Sequence, residues 1–202
     1  MATPASNLDT AKAHEIIETA RARHIAAVEA TLETYRDRIT AAADAIVQSL
    51  AGGGTLFLCG NGGSAADAQH IAAEFVGRYQ VERQGLSAVA LTVDTSILTC
   101  ISNDYSFEQV FARQVRALMK PGDVLLAIST SGKSPNVLEA AKAAREIGGH
   151  VIALTGGQGG PLAELGELSF VIPSDETARI QECHILIGHL ICQLVDASGL
   201  GQ

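Results

Sequence analysis

No stretch of the 202-residue sequence reaches the roughly 20 consecutive apolar residues that a membrane span needs, although 47% of it is hydrophobic. Met1-Ala2-Thr3-Pro4-Ala5-Ser6 has no basic segment followed by an apolar one, so no secretory leader is expected. Positive charge is in deficit. Fourteen Lys and Arg against 22 Asp and Glu leave a formal charge of −8, which argues against broad binding to nucleic acid or to an anionic membrane. That balance leaves room for a small anionic ligand, because the field in one site need not follow the net charge. The four cysteines (Cys59, Cys100, Cys183 and Cys192) form no C-x-x-C pair and give no disulfide framework, so a reduced, cytoplasmic setting is expected. No G-x-x-x-x-G-K-[ST] occurs, which removes the P-loop NTPases. Repeats, low-complexity tracts and long linkers are also missing. One domain spanning 1–202 is the expectation, with a length that can bury a substantial core.

Glycine and proline are absent from Asn7 to Ala51, where Ala, Glu, Arg and Ile dominate. That predicts one long helix or two, over roughly 10 to 50, with Ile39, Ala43, Ile46, Val47 and Leu50 at helical spacing. This 7–51 segment reads as a helical arm of the domain, used in oligomerisation, or as a helix packed on its own domain. Gly52-Gly53-Gly54 ends it. Beyond that point apolar strands alternate with helices. Strands are expected at 55–59, 88–91, 124–128, 150–155 and 168–172. Helices are expected near 65–77, 107–119 and 135–147, with a short turn at 162–165 and a last helix over 177–197. Continuous apolar strands in β-α-β order predict an α/β, three-layer fold with a five-stranded parallel sheet. Ligands in such sheets bind beyond the carboxyl ends of the strands.

Two loops rich in glycine and hydroxyls fall there. One is Cys59-Gly60-Asn61-Gly62-Gly63-Ser64, the other Ser129-Thr130-Ser131-Gly132-Lys133-Ser134. Each follows an apolar run and opens a helix, where free N–H groups favour an anion and glycine permits close approach. Ser134-Pro135 alone is an ordinary helix start. Ser129, Thr130 and Ser131 before Gly132 are more hydroxyls than capping requires, and they point to phosphate. Lys133 adds positive charge there or points into solvent. Gly60 to Ala65 also fits the dinucleotide variant G-x-G-x-x-A. Asp94, the only acid near the end of the second strand, comes too late for a ribose, and the second loop has no place in that scheme. No nucleotide cofactor is expected.

His70 and Glu74 share one helix face at i, i+4, and Gln181 and His189, eight apart, share a face of the last helix. If the two helices converge, these four residues make a metal site or an acid–base cluster. His and Glu suit Zn²⁺, and glutamine is an uncommon ligand. A surface Glu74–Arg78 pair beside a solvated histidine is the plainer alternative. His14, His24, His150 and His184 are expected to be structural. Asn103-Asp104 is expected in an irregular stretch between the second and third strands, where such a pair is usually turn chemistry.

Taken in order, several segments resemble the phosphoheptose isomerases, small enzymes of the sugar-isomerase (SIS) fold. These are Cys59 to Ser64 followed by Asp67, His70 and Glu74; Ser102-Asn103-Asp104; Ser129 to Gly132 with Ser134; and Arg179-Ile180-Gln181-Glu182 leading to His189. The resemblance runs from about Gly53 to Ala197. It implies a flavodoxin-like SIS domain that interconverts sedoheptulose 7-phosphate and D-glycero-D-manno-heptose 7-phosphate, the first step towards nucleotide-activated heptose. It also implies a homotetramer with active sites between subunits. By the same resemblance Glu74 and His189 are the acid–base pair, and Ser129, Thr130, Ser131 and Ser134 hold phosphate. Asn61, Gly62, Gly63, Asn103, Asp104 and Gln181 would touch the sugar, with Glu74 also contacting it. Some members carry zinc at the positions of His70, Glu74, Gln181 and His189. One departure is Glu176-Thr177-Ala178 before Arg179, where some members place an aspartate next to the arginine; fine substrate preference rests on it. A non-catalytic protein of the same fold, which associates with the bacterial replication initiator, shares the Ala178-to-Glu182 segment. Glu74 and His189 together distinguish the enzyme from that binder. Arabinose 5-phosphate isomerases usually carry an added regulatory module, for which 202 residues leave no room.

Overall fold

A computed structural model describes residues 9–202. Asn7 and Leu8, the first two residues of the expected arm, lie outside the described residues, as does the Met1-to-Ser6 segment read for a leader. The arm is one continuous helix, α1 (Thr10–Ala51), of 42 residues. Asp9 opens it, its carboxylate accepting from the Ala11 N–H at 2.9 Å. Its buried side chains, Ala27, Thr31, Tyr35, Ile39, Ala42, Ala43 and Ile46, recur every three or four residues and lie only in its second half and just before it. The first half is largely exposed, with Ile16, Ile17 and Ile25 in solvent.

The remaining elements are β1 (Leu56–Gly60), α2 (Gly63–Val76), β2 (Ala88–Ala90), α3 (Thr95–Asp104), a 3₁₀ turn (Phe107–Gln109), α4 (Val110–Leu118), β3 (Val124–Ile128), α5 (Pro135–Ile147), β4 (His150–Gly156), α6 (Gly160–Leu165), β5 (Leu168–Ile172) and α7 (Thr177–Ala197). All strand pairs are parallel, in the order β2-β1-β3-β4-β5. Alternate side chains divide the core. Leu56, Leu58, Leu126, Leu154 and Phe170 pack under α1, α2 and α7, whereas Phe57, Cys59, Leu125 and Val151 pack under α4 and α5. Strands buried on both faces explain the uninterrupted apolar runs. The open edge of β5 is covered by α1. There the Tyr35 hydroxyl accepts from the Val171 N–H and donates to its carbonyl, both at 3.0 Å, and Arg38 donates to the Ser169 carbonyl.

One expectation is corrected. Asn103 and Asp104 do not sit in an irregular stretch; they end helix α3, which Asp94 caps by accepting from the Ile97 N–H at 2.9 Å. The β-branched residues Thr95, Ile97, Thr99 and Ile101 hide that helix from a propensity reading. No helix among the described residues is long and apolar enough to cross a membrane.

Candidate active site

The strand order reverses direction between β1 and β3, and both glycine loops leave the sheet at that point. Crevices of this kind are where open parallel sheets receive ligands. In the first loop, Ser64 N–H turns back to the Asn61 carbonyl at 3.0 Å, and the Ala65 and Ala66 N–H groups turn back to Gly62. The N–H groups of Gly62 and Gly63 find no backbone acceptor and head α2.

The second loop follows the same logic. Gly132 N–H closes on the Ser129 carbonyl at 3.0 Å, and Lys133 N–H on Ser131 Oγ at 3.2 Å. Thr130, Ser131 and Ser134 keep N–H groups without a backbone partner. Ser134 occupies the N-cap of α5, yet its side chain makes no capping bond; its hydroxyl lies 3.0 Å from that of buried Ser129. The hydroxyls are therefore not spent on holding the helix. Gly132 is required here, with φ +62° and a Cβ position only 1.8 Å from the Gly159 carbonyl oxygen. Next to this turn is a cavity of about 280 Å³ lined by Thr130, Ser131, Lys133, Gly157, Gln158 and Thr177. Asn61 and Asn136 exchange two amide hydrogen bonds at 2.8 Å, which locks the two loops to each other. Asn136 was not singled out by the sequence reading; only its place after Ser134-Pro135 hints at it.

On the other side of α2, the two helices converge. The start of α2 meets the start of α7, where a Cβ on Gly63 would stand 2.4 Å from Gln181 Nε2. Further along, His70 Nε2 lies 3.0 Å from His189 Nε2 and 3.3 Å from Glu74 Oε1. Both contacts recur about two turns along, so α2 and α7 run side by side in the same direction. Gly188 makes this possible, since a Cβ there would come 2.5 Å from Ile71 Cδ1. His70, Glu74 and His189 thus form one cluster, and Gln181 lies two turns before it, against the first loop. The plainer alternative is set aside, as Arg78 pairs with Glu82 at 3.4 Å.

Burial holds the His189 imidazole below its ordinary pKa, His70 adds to that, and the Glu74 carboxylate opposes it. With two ring nitrogens facing each other at 3.0 Å, one carries the proton and the other accepts. The Tyr79 ring stacks on His189, with centroids 5.7 Å apart and planes at 21°. Beneath the cluster, burial raises the Asp67 carboxyl, which His70 partly offsets, and Asp67 Oδ2 is buried without a partner. Tyr79 lies in the aperiodic connection from α2 to β2 and carried no sequence signal. Among the described residues, no three His, Cys, Asp or Glu side chains stand in metal-holding geometry.

Asn103 and Asp104 are exposed at the end of α3, away from these contacts. Asn103 Nδ2 donates to Asp104 Oδ1 at 2.8 Å and lowers the aspartate pKa, with a smaller contribution from the Cys100 thiol. The crossover helix α4 begins just beyond, so the pair stands at the same carboxyl edge of the sheet as the loops. His184 is buried and structural, its Nε2–H donating to the Thr155 carbonyl at 2.9 Å.

Comparison with known proteins gives the family. The model of the SIS domain family matches residues 21–156. A phosphoheptose isomerase of Roseiflexus sp. is 55% identical over 166 residues, covering 82% of this chain and 84% of that protein. The structure of a phosphoheptose isomerase from Neisseria gonorrhoeae superposes with a TM-score of 0.86 at 48% identity, covering 91% of this chain and 98% of that one. That of a phosphoheptose isomerase from Francisella tularensis gives 0.88 at 39% identity, covering 92% and 98%.

Proposed function

The chain belongs to the phosphoheptose isomerase family of SIS-domain proteins, and on that premise we propose that it interconverts sedoheptulose 7-phosphate and D-glycero-D-manno-heptose 7-phosphate through Glu74 and His189. The observation that carries the mechanism is the meeting of His70, Glu74 and His189 across two helices that share no sequence neighbourhood. In the open-chain ketose, Glu74 removes a proton from C1 while His189 donates one to O2, giving an enediol. His189 then takes the O1 proton and Glu74 returns its proton to C2, which leaves the carbonyl at C1. A neutral imidazole suits this exchange, and burial of His189 favours that form. Ser129, Thr130, Ser131 and Ser134, with the free N–H groups at the head of α5, bind the phosphate. That remote binding orients C1 and C2 for the proton transfers. Asn61, Gly62 and Gly63 face the sugar from the first loop, Gln181 from the start of α7, and Asn103 and Asp104 from the sheet edge.

Of the four residues that the resemblance gives as zinc ligands, His70, Glu74 and His189 meet here and are the ones we propose would hold Zn²⁺; Gln181 lies two turns earlier, against the first loop. A tetrahedral ion with bonds of about 2.0–2.1 Å spaces its ligand atoms roughly 3.3 Å apart. The imidazole and carboxylate donors are of the type zinc takes and stand 3.0 and 3.3 Å apart, but His70 and His189 are turned towards each other and not yet arranged around an ion. Bound there, Zn²⁺ would supply Lewis-acid polarisation of a substrate oxygen, and it would occupy the Glu74 and His189 atoms that move protons in the mechanism above, so the two roles would require ligand exchange during turnover.

The finer reading is a homotetramer in the cytoplasm with active sites between subunits. Exposed Ile16, Ile17 and Ile25 on α1 support assembly, as does an apolar groove of about 420 Å³ between α1 and α7, lined by Leu32, Ile39, Leu190 and Leu194. The four cysteines are unpaired, which fits a reducing compartment. The initiator-binding alternative is not favoured, since the relatives carry the isomerase name. NMR of sedoheptulose 7-phosphate with purified protein tests the function. New anomeric signals of an aldoheptose phosphate are expected, slowed about 10²–10⁴-fold in Glu74→Gln and in His189→Ala. No turnover by the wild-type protein, with or without Zn²⁺, refutes the isomerase; full turnover in both variants refutes the mechanism.

A further inference from the structure

We propose that Arg83 and Asp196 are positioning residues for the proton-transfer centre, holding Glu74 and His189 in register through the last turn of α2 and the ring of Tyr79. The inference rests on the isomerase reading above. Arg83 lies in the connection between α2 and β2, yet only 1% of its side chain is exposed, against 4% for Asp196. Its Nε donates to Asp196 Oδ1 at 2.8 Å, its Nη2 to the carbonyl of Glu74 itself at 2.9 Å, and its Nη1 to the carbonyl of Phe75 at 2.9 Å. The last carbonyls of a helix have no N–H of their own helix to accept from. One guanidinium therefore fixes the peptide that carries the candidate base.

Asp196 completes the unit from the other helix. It lies in the last turn of α7, seven residues after His189 and so on the same face two turns on. Its Oδ2 accepts from the Gln80 and Val81 N–H groups at 2.8 and 3.2 Å. Those two peptides directly follow Tyr79, whose ring lies flat on His189. A single buried ion pair thus joins the backbone of Glu74, the helix of His189 and the ring that covers His189. Capping of α2 would by itself account for the carbonyl contacts; the bonds from Asp196 to the segment that carries Tyr79 are what tie the pair to His189.

The test compares Arg83→Lys, Arg83→Met, Asp196→Asn and Tyr79→Leu with wild type, and with Arg116→Met, which breaks an exposed pair to Glu146 remote from the site. Thermal melts establish which variants are folded at the assay temperature. For folded variants, kcat for sedoheptulose 7-phosphate is expected to fall roughly 10- to 100-fold with KM within about twofold, because misplacing reacting groups slows chemistry while the phosphate loops are untouched. Arg83→Lys should recover part of the kcat lost in Arg83→Met, and Arg116→Met should match wild type. Should the arginine variants not fold, Asp196→Asn and Tyr79→Leu decide the matter. The His189 imidazole NMR resonances provide a readout independent of turnover, and they are expected to shift in Asp196→Asn as the stacked ring moves. Unchanged kcat in the folded variants, or unshifted His189 resonances in Asp196→Asn, overturns the proposal. A wild-type protein without turnover sinks the isomerase reading instead, and the resonances still decide whether the ion pair positions the cluster.

Discussion

Lowering the pH from 7.5 to 4.5 is expected to destabilise the protein through one internal side chain, His184. Its Nε2–H is fixed by the Thr155 carbonyl at 2.9 Å, so the neutral tautomer leaves Nδ1 bare, and Nδ1 is buried with no partner. A second proton would place an unpaired N–H and a charge inside the core. Burial accordingly pushes the His184 pKa from 6.5 down to about 4, against a smaller opposing contribution from the Thr155 hydrogen bond. The sign follows from which state binds more protons. Above pH 6.5 both states are neutral at this position and stability is complete. Between 6.5 and about 4 the unfolded chain takes up the proton and the folded protein does not, so stability is lost as the pH falls. At 1.36 kcal/mol per pKa unit, the loss by pH 4.5 is roughly 2–3 kcal/mol. Urea denaturation at fixed protein concentration, at pH 7.5 and 4.5, measures it. His184→Gln can keep an amide N–H towards Thr155 and removes the titrating nitrogen. It is expected to be less stable at pH 7.5, but to lose about 2 kcal/mol less than wild type on acidification. Other groups titrating in this range are common to both proteins and cancel. Equal losses in the two proteins would refute the assignment.

Two further outcomes concern the site. Chelator-treated protein is expected to bind one Zn²⁺ per chain in a calorimetric titration, and His70→Ala or His189→Ala should abolish it; undiminished binding in either variant refutes the ligand set. Co-refolding Glu74→Gln with a Ser129→Ala/Ser134→Ala double variant should restore isomerase activity that neither shows alone, whereas hybrids as inactive as their parents would mean that each site is built from one chain.

The strands were legible because the sheet is covered on both faces. The run at 124–128 is apolar from end to end and coincides with β3; that at 168–172, apolar except for Ser169, coincides with β5. Helix α3 was not legible from residue preferences. Thr95, Ile97, Thr99 and Ile101 alternate like a strand, and the decisive signal, Asp94 as N-cap, is a single residue. At the site, the i, i+4 relation of His70 and Glu74 is a property of any helix. Their meeting with His189 is not, because it depends on α7 approaching α2 closely enough for Gly188 to lie on Ile71. Tyr79, Arg83 and Asp196 escaped the sequence reading for a related reason. Two of them lie in a connection without periodicity, and the third reads as an ordinary polar residue at the end of a helix. Their roles come from hydrogen bonds spanning more than a hundred residues of chain.

The spacing along α2 bears directly on assembly. The phosphate loops meet at the head of this helix, where Asn61 pairs with Asn136 and Gly63 with Gln181. His70 and Glu74 lie seven and eleven residues further on, hence about 10 and 16 Å along the helix axis at 1.5 Å per residue. α2 returns from the carboxyl edge of the sheet, so this displacement carries the acid–base cluster away from the loops that would hold the phosphate. The cluster also remains open to solvent on one side, with about half of the His70 side chain exposed. A base that removes a carbon-bound proton works best with water excluded, and nothing among the described residues covers His70. In the homotetramer proposed above, a second copy packed through the apolar residues of α1 and α7 would supply both missing parts: a cover for the imidazoles and a phosphate loop brought near them. On that proposal the long helix serves catalysis by assembling chains, and the half-exposed His70 face is the observation that supports it.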